Sequence, residues 1–462
     1  MSEPSGAVQE LVRDLSDRGV DLVRVLWSDL HGVARGKDIA LSDFARVNEH
    51  GVAFCQALLV TDLGANPLDV PESSLGGWPD AVAVPDLGTM RVVDYVDNVA
   101  VCVCDINTVQ GHDTHSAQPL AFSPRDLLRA QADGLRAEGL HPVIGPELEF
   151  YLCHKDSDAP HGWARYQDRD TGAYIVGVAN DPDDMLATLL RHCSRMGLSV
   201  FAGNHEFSGG QFEINHLHSE AVDAADRVFL FKHAVKEIAV LHGLRATFMG
   251  KPFEGRSGSG THLHVSLTDA EGSNLFDDPA DARGLSPLAY SFLAGVLVHA
   301  GSLTALLNPT VNAFKRLGPD TLAPAGGTWG FDNRTAYVRV PPERGAGARL
   351  ELRIGDGTAN PYLAFAGVLA AGHDGIRRGL TPPPPITGHY GEAAPDPTTA
   401  PPPTSLPATL AEALSLLERD TVLVAALGER FVSLFAALKR QEIARFERSV
   451  TDWEFHEYAW LL

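Results

Sequence analysis

Cations are scarce in this chain of 462 residues: 37 Lys and Arg stand against 59 Asp and Glu, a formal net charge of -22. That deficit argues against a nucleic-acid partner, because phosphate binding runs on Lys and Arg. It argues equally against an anionic membrane surface. Long apolar runs are missing too. None approaches the ~18 to 20 residues of a membrane span. The opening MSEPSGAVQE has neither the positive nor the apolar segment of a secretory signal. Cysteine is rare and odd in number: Cys55, Cys102, Cys104, Cys153 and Cys193 match no zinc or redox spacing. Reduced thiols in a cytoplasmic protein are the expectation. No internal repeat is present. What remains is ordinary for a folded soluble chain, with 44% apolar and 21% charged residues. Its length suggests two or three domains and a large core that needs no disulfide staple. The acidic excess has two readings, a solubilising surface or carboxylates gathered to hold cations.

Residues 21–27 and 91–106 alternate in period two and read as short strands, separated by a Gly/Pro/Asp-rich stretch at 61–88. A small β-rich domain over residues 15–112 follows, then a linker at 111–124. A helix opens at 123–139, with Ser123 as N-cap and Pro124 in its first turn. Further helices are expected at 220–243, 287–307 and 360–379, with closing helices over 408–420 and 429–450. The Pro-rich tract 381–407 reads as a surface loop.

The informative pattern is a repeated anomaly. In residues 141–152, Glu147, Glu149 and Tyr151 share one strand face while Leu148, Phe150 and Leu152 share the other. In 209–216, Gln211, Glu213 and Asn215 oppose Phe212 and Ile214. In 261–267, His262, His264 and Ser266 oppose Leu263, Val265 and Leu267. In 335–340, Tyr337 and Arg339 oppose Ala336, Val338 and Val340. In 349–354, Arg349, Glu351 and Arg353 oppose Leu350, Leu352 and Ile354. A half-buried sheet with a solvated face shows the same alternation. Such a face normally carries Lys, Thr, Ser and Gln, whereas these carry mostly Glu, His and Arg and no Lys. Carboxylates at i and i+2 repel unless a cation lies between them. Carboxylate oxygens with an imidazole suit Mg²⁺ or Mn²⁺ better than Zn²⁺. Arginines beside them suit phosphate and carboxylate. The combination is that of metal-assisted phosphoryl transfer. The Gly/Ser-rich loop at 251–264 lets backbone N–H groups approach an anion. Lys315 and Arg316 precede a Pro/Gly-rich stretch, 321–330, that reads as a flap.

The blocks GPELEF (145–150), HEFSGGQFE (205–213), KPFEGRSGSGTHLHVSL (251–267), NPTVNAFKRL (308–317), NRTAYVRVP (333–341) and LELRIGDGTANPYLAFAGVLAAG (350–372) resemble the glutamine synthetase family. PESSLGGWPD (71–80) and PDLGTMRVV (85–93) are similar to its small N-terminal domain, so the resemblance covers essentially the whole chain. It implies an α+β fold: a β-grasp N-terminal domain (15–112) and a catalytic domain (120–462) with a curved antiparallel sheet. It also implies a ring-shaped homo-oligomer, usually a dodecamer of two hexamers, with the active site between neighbouring subunits. The implied reaction is phosphorylation of the γ-carboxylate of L-glutamate by ATP, then attack by an amine on γ-glutamyl phosphate. Matched position by position, Glu149, Glu206 and Glu213 correspond to ligands of one divalent metal, and Glu147, His262 and Glu351 to ligands of a second. Gly258 and Arg316 match glutamate contacts. Arg334 matches the arginine that stabilises the transferring phosphoryl group, and Arg339 and Arg353 match arginines near phosphate and γ-carboxylate. His264, Ser266 and Arg349 match ATP contacts.

The departures concern the amine. The flap glutamate of ammonia-using enzymes falls on Leu322, and the aspartate that assists it falls on Pro71, followed by Glu72. Ammonium is bound as a cation and deprotonated by such acids, so their loss disfavours ammonia, and Leu322 leaves room for carbon on the attacking nitrogen. Glu72 is a candidate replacement base. Ser257 stands where an asparagine normally precedes Gly258. No adenylylation motif surrounds Tyr390. A small primary monoamine, ethanolamine first, is the expected substrate, with a polyamine such as putrescine or ammonia as alternatives. A structural homologue without catalysis and a guanidino kinase are the remaining rivals. The first is disfavoured because every metal-ligand position is kept, the second because of the β-rich N-terminal segment and the GSGTHLH block.

Overall fold

A computed structural model describes residues 6–68, 79–108, 118–159, 161–170, 173–317, 321, 323–388 and 404–462. Strands Leu22–Ser28 (β1), Ala34–Ala40 (β2), Val52–Cys55 (β3), Asp80–Pro85 (β4), Arg91–Val92 (β5) and Val99–Thr108 (β6) form one sheet in the order β2-β1-β6-β4-β3, with β5 also on β6. The β1–β6 pair is parallel and the other pairs are antiparallel. Helices Gly6–Asp17 (α1) and Leu41–His50 (α2) cover it, the arrangement of a β-grasp. Val23, Val25, Val101 and Val103 are buried between the layers.

The alternation at 21–27 and 91–106 located β1 and β6. It missed β2, because ARGKDIA is a largely exposed edge strand with no apolar face. The expected strand over 91–106 is two strands, split by a turn in which Asn98 takes a left-handed φ of 64°.

The second sheet holds ten strands. In chain order the remaining strands are His141–Lys155 (β7), Trp163–Arg165 (β8), Val200–His205 (β9), Gln211–His216 (β10), Ser219–Glu220 (β11), Leu244–Thr247 (β12), Thr261–Thr268 (β13), Gly326–Gly327 (β14), Trp329–Phe331 (β15), Val338–Val340 (β16), Leu350–Leu352 (β17) and Thr404–Ser405 (β18). The order β15-β16-β17-β13-β7-β10-β9 curls into a half-barrel around the long β7, which also pairs with β8, β11 and β12. Helices follow at Pro124–Arg136 (α3), Met185–Arg195 (α4), Ala221–Leu241 (α5), Pro287–Val298 (α6), Ala300–Leu307 (α7), Pro361–Arg378 (α8), Leu410–Arg419 (α9), Thr421–Leu427 (α10), Glu429–Glu447 (α11) and Asp452–Tyr458 (α12). The core lies behind the sheet. Phe150 meets Phe212 and Phe231 there, with ring centroids 6.0 and 6.2 Å apart.

Local chemistry explains most helix limits. The Glu220 side chain accepts from the Val222 and Asp223 amides to start α5. Asn360 caps α8, and Gly379 ends it with a left-handed φ of 59°. Ser123 and Pro124 open α3 as expected, but the Ser123 side chain makes no capping bond. The single helix expected over 287–307 is two helices bent by 75°. At the bend, His299 places Nδ1 2.7 Å from Asp420 and Nε2 3.1 Å from Asp374. The Pro-rich tract is not wholly loop: β18 pairs with β14, and Trp329 Nε1 donates to Pro383 O at 2.6 Å. Pro71, Glu72, Leu322 and Tyr390 lie outside the described residues. Among the described residues no single helix is long and apolar enough to cross a membrane.

Candidate active site on the concave sheet face

Register puts the charged faces together. Glu213 on β10 lies opposite Glu149 on β7, and Asn215 opposite Glu147. On the other flank of β7, His262 of β13 lies opposite Glu147. Glu351 of β17 then faces His264, and Arg339 of β16 faces Glu351. A slip of one residue at any pair would turn that strand's ionisable side chains into the core. The strands at β16 and β17 are shorter than expected, yet they keep this phase.

The side chains converge. His262 Nδ1 lies 3.2 Å from Glu147 and 4.0 Å from Glu351, and its Nε2 lies 3.7 Å from Glu149. His264 Nε2 lies 3.1 Å from Glu147. Two triads, Glu147–His264–Glu351 and Glu147–Glu213–His262, each bring ligand atoms within 4.8 Å of one another. Glu206 follows β9, its amide bonded to Gln211 O and its carboxylate 3.0 Å from Asn204 Nδ2. Arg339 Nη1 reaches Glu351 at 2.6 Å, and Arg353 also pairs with Glu351. Arg349 Nε donates to His264 Nδ1 at 3.0 Å. Ser266 shares the His262 and His264 face. Arg334 is exposed at the rim, its carbonyl accepting from Arg353 Nε at 2.8 Å.

Arg316 is buried beneath the Gly/Ser loop and donates to Ile354 O at 2.9 Å and Arg353 O at 3.3 Å. The glycines there have a steric reason. A Cβ on Gly258 would sit 2.7 Å from Arg316 Cγ, and one on Gly260 would sit 2.7 Å from Arg316 Nη2. The Gly260 amide donates to Glu149 Oε2 at 2.8 Å.

The electrostatics divide the acids. Burial raises Glu213 to about 8 and Glu206 to about 7, helped by Glu147 and Glu149 beside Glu213 and by Glu149 and Glu213 beside Glu206. Burial opposes ionisation of Glu351 as well, but His262, Arg353, His264 and Arg339 outweigh it and bring it to about 2. Glu147 is likewise held low against burial by hydrogen bonds from His262 and His264. Among the described residues neither Glu206 nor Glu213 forms an ion pair, and the nearby cations, His262 for Glu206 and Arg353 for Glu213, do not offset burial and the neighbouring acids. That donor set fits hard divalent ions.

Further residues support the site. Asn204 lies on β9, which shows no clear alternation. Gln211 and Asn215 were visible on the β10 face, and they hold Glu149 and Glu213 at 3.2 and 3.1 Å. Tyr174 left no periodic signal. It is 66% exposed, has a left-handed φ of 66°, and faces Glu206, Glu213, Arg334 and Glu147 electrostatically. A cavity of about 1140 Å³ adjoins the Gly/Ser loop, bordered by Lys251, Phe253, Arg245, Trp163 and Trp453.

A half-barrel whose concave face carries in-register Glu, His and Arg offers the donor set that metal-assisted transferases and ligases use. Residues 121–458 match the model of the glutamine synthetase catalytic domain, and the chain belongs to the glutamine synthetase family. It is 34% identical to a glutamine synthetase of Methanocaldococcus jannaschii, over 98% of both chains. It is 32% identical to a glutamate–isopropylamine ligase of a Pseudomonas species, over 99% of both. Among solved structures it is similar to GmaS bound to ADP, with a TM-score of 0.84 and 33% identity, covering 97% of this chain and 99% of that one. The chain is an ATP-dependent glutamate ligase that uses glutamate, ATP and an amine or ammonia. Enzymes of this family generally use ATP and divalent metals such as Mg²⁺ or Mn²⁺.

Proposed function

We propose that this enzyme joins the γ-carboxylate of L-glutamate to a small primary monoamine, ethanolamine first, through γ-glutamyl phosphate. The observation that carries the chemistry is the in-register face of Glu147, Glu149, Glu213, His262 and Glu351, with Glu206 beside it and arginines at its edge. Two or more Mg²⁺ or Mn²⁺ ions on these ligands would screen the ATP phosphates and the developing charge. Glu149, Glu206 and Glu213 would hold one ion, and Glu147, His262 and Glu351 the other. Arg316, seated under Gly258, binds the carboxylate of glutamate. Arg334 and Arg339 meet the phosphoryl oxygens as charge shifts to the leaving group, and Arg353 sits by the γ-carboxylate. His264, Ser266 and Arg349 orient ATP. The domain limits 15–112 and 120–462, a cytoplasmic location and a homododecamer complete this reading.

The amine choice rests on the sequence at Leu322 and at Pro71–Glu72, where acids that would hold ammonium are missing. A glutamate–isopropylamine ligase among the relatives supports an alkylamine. The several glutamine synthetases of similar identity favour ammonia as the second reading. Steady-state rates with glutamate, ATP and a panel of ammonia, methylamine, ethanolamine, isopropylamine and putrescine test it. Ethanolamine is expected to give the highest kcat/KM, and Leu322→Glu is expected to shift the ratio toward ammonia. High kcat/KM for ammonia with no alkylamine preference contradicts the proposal, and an unchanged ratio in the variant removes the flap argument.

A further inference from the structure

Lys439, on α11, is 1% exposed, and no step above uses it. Taking an ammonium out of water is costly, and an apolar residue of similar volume often packs as well or better. A lysine kept there needs a reason other than stability. Its Nζ lies 3.4 Å from Glu442 Oε2, 3.1 Å from His31 Nδ1 and 5.6 Å from the Phe435 ring centroid. His31 Nε2 is 3.2 Å from Thr61 O. A neutral ring protonated at Nε2 therefore donates to Thr61 and accepts from Lys439 at Nδ1.

The other Glu442 oxygen, Oε1, accepts from the Val311 amide at 3.1 Å. Val311 begins the short segment that ends at Arg316. Within it, Asn312 accepts from Lys251 N and donates to Lys251 O, each at 2.9 Å. Residues Ala313–Lys315 make one tight turn, and Arg316 then reaches Ile354 O and Arg353 O. The segment is thus pinned at its start by the half-buried Glu442 carboxylate, in its middle by Asn312, and at its end by Arg316 itself.

We infer that Glu442, oriented by Lys439, is a positioning residue for glutamate: it fixes the backbone at Val311 so that Arg316 meets the substrate carboxylate. The inference rests on Arg316 as a glutamate contact. The β1–β2 loop joins the same support, because Lys439 also meets His31. A displacement of ~1 Å in a binding group can cost ~10²-fold in rate, so a remote hydrogen bond has leverage here.

The test uses the full-length enzyme and glutamate-dependent ADP formation with its preferred amine. Glu442→Ala deletes the acceptor for Val311. Glutamate KM is expected to rise about tenfold or more, with ATP KM and kcat essentially unchanged. The double variant Lys439→Met/Glu442→Gln removes both charges but keeps an acceptor for Val311. Its glutamate KM is expected to match wild type, and its Tm to equal or exceed it. An unchanged glutamate KM in Glu442→Ala, an equal rise in ATP KM, or a double variant as impaired as Glu442→Ala each overturns the inference. If Glu442→Ala does not fold, Lys439→Met alone carries the test, because it leaves Glu442 without its cation. A raised glutamate KM supports the inference and an unchanged one overturns it. A wild type without glutamate-dependent ADP formation fails earlier, taking the functional reading down together with the inference.

Discussion

Two clusters of buried charge in this protein are built in opposite ways. Between the N-terminal sheet and the helices, Arg125 is 5% exposed and bonded to Asp226 through Nε at 2.9 Å and Nη2 at 2.7 Å. The same guanidinium reaches Asp86 at 2.6 Å and also pairs with Asp105, while Tyr362 donates to Asp226 at 2.8 Å. Each charge there has its partner: Asp86 ionises below the usual range, Arg125 prevailing over burial, while burial still lifts the enclosed Asp226 despite Arg125 and Tyr362. On the concave face, Glu206 and Glu213 face other acids instead, and their carboxyls are pushed up to about 7 and 8. A matched cluster holds two parts of a fold together. An unmatched one is incomplete without something positive from outside, and such unmatched acids concentrate at functional sites.

Substitutions should separate the two. The largest effect is expected on the unmatched side. Glu149→Ala or His262→Ala should lower kcat by roughly 10² to 10³ or more, with Tm preserved or raised in Glu149→Ala because mutual repulsion is relieved, and modestly lowered in His262→Ala because Glu147 and Glu351 lose a partner. A Tm loss with activity retained would reverse the roles of the clusters. Next, Arg125→Met leaves Asp226 buried without a cation, which typically costs roughly 3–5 kcal/mol. Chemical denaturation should show that loss, while glutamate KM in the remaining folded enzyme stays unchanged. The smallest effect is expected at His299, a matched histidine. Burial opposes its protonation, but Asp420 and Asp374 outweigh burial and raise its pKa above 6.5. Its stabilisation is therefore complete below 6.5 and is lost as pH rises through the raised value. Thermal melts across that range should show a Tm decline that His299→Gln lacks.

The site was far more legible than its surroundings. Alternation in ELEFYL, QFEINH and THLHVSL exposed both faces of β7, β10 and β13, because a two-residue period survives in sequence when one face is core and the other a ligand cup. The motif blocks then carried the family. What the sequence did not carry was pairing. That Glu213 meets Glu149, or that Arg339 and Arg353 both rest on Glu351, depends on register between strands far apart in the chain. Asn204 and Tyr174 lie on an irregular strand and a loop, where neighbours come only from tertiary contact. The bend between α6 and α7 was hidden for the same reason: 287–307 is mostly apolar, and the partners of His299 lie on α8 and just after α9. Edge strand β2 lacked any apolar stripe to betray it.

Glu206 and Glu213 are the acids that a bound divalent cation would neutralise. Calorimetric titration of Mg²⁺ into the wild-type enzyme near pH 7, repeated in buffers of different ionisation enthalpy, tests it directly. Carboxyls near 7 and 8 are partly protonated there and must lose those protons to bind metal. Saturable Mg²⁺ binding with net proton release is expected, with affinity that rises with pH between about 6 and 8 and reduced proton release in Glu213→Gln. Absence of Mg²⁺ binding, or binding with no proton release and no change in Glu213→Gln, would contradict it.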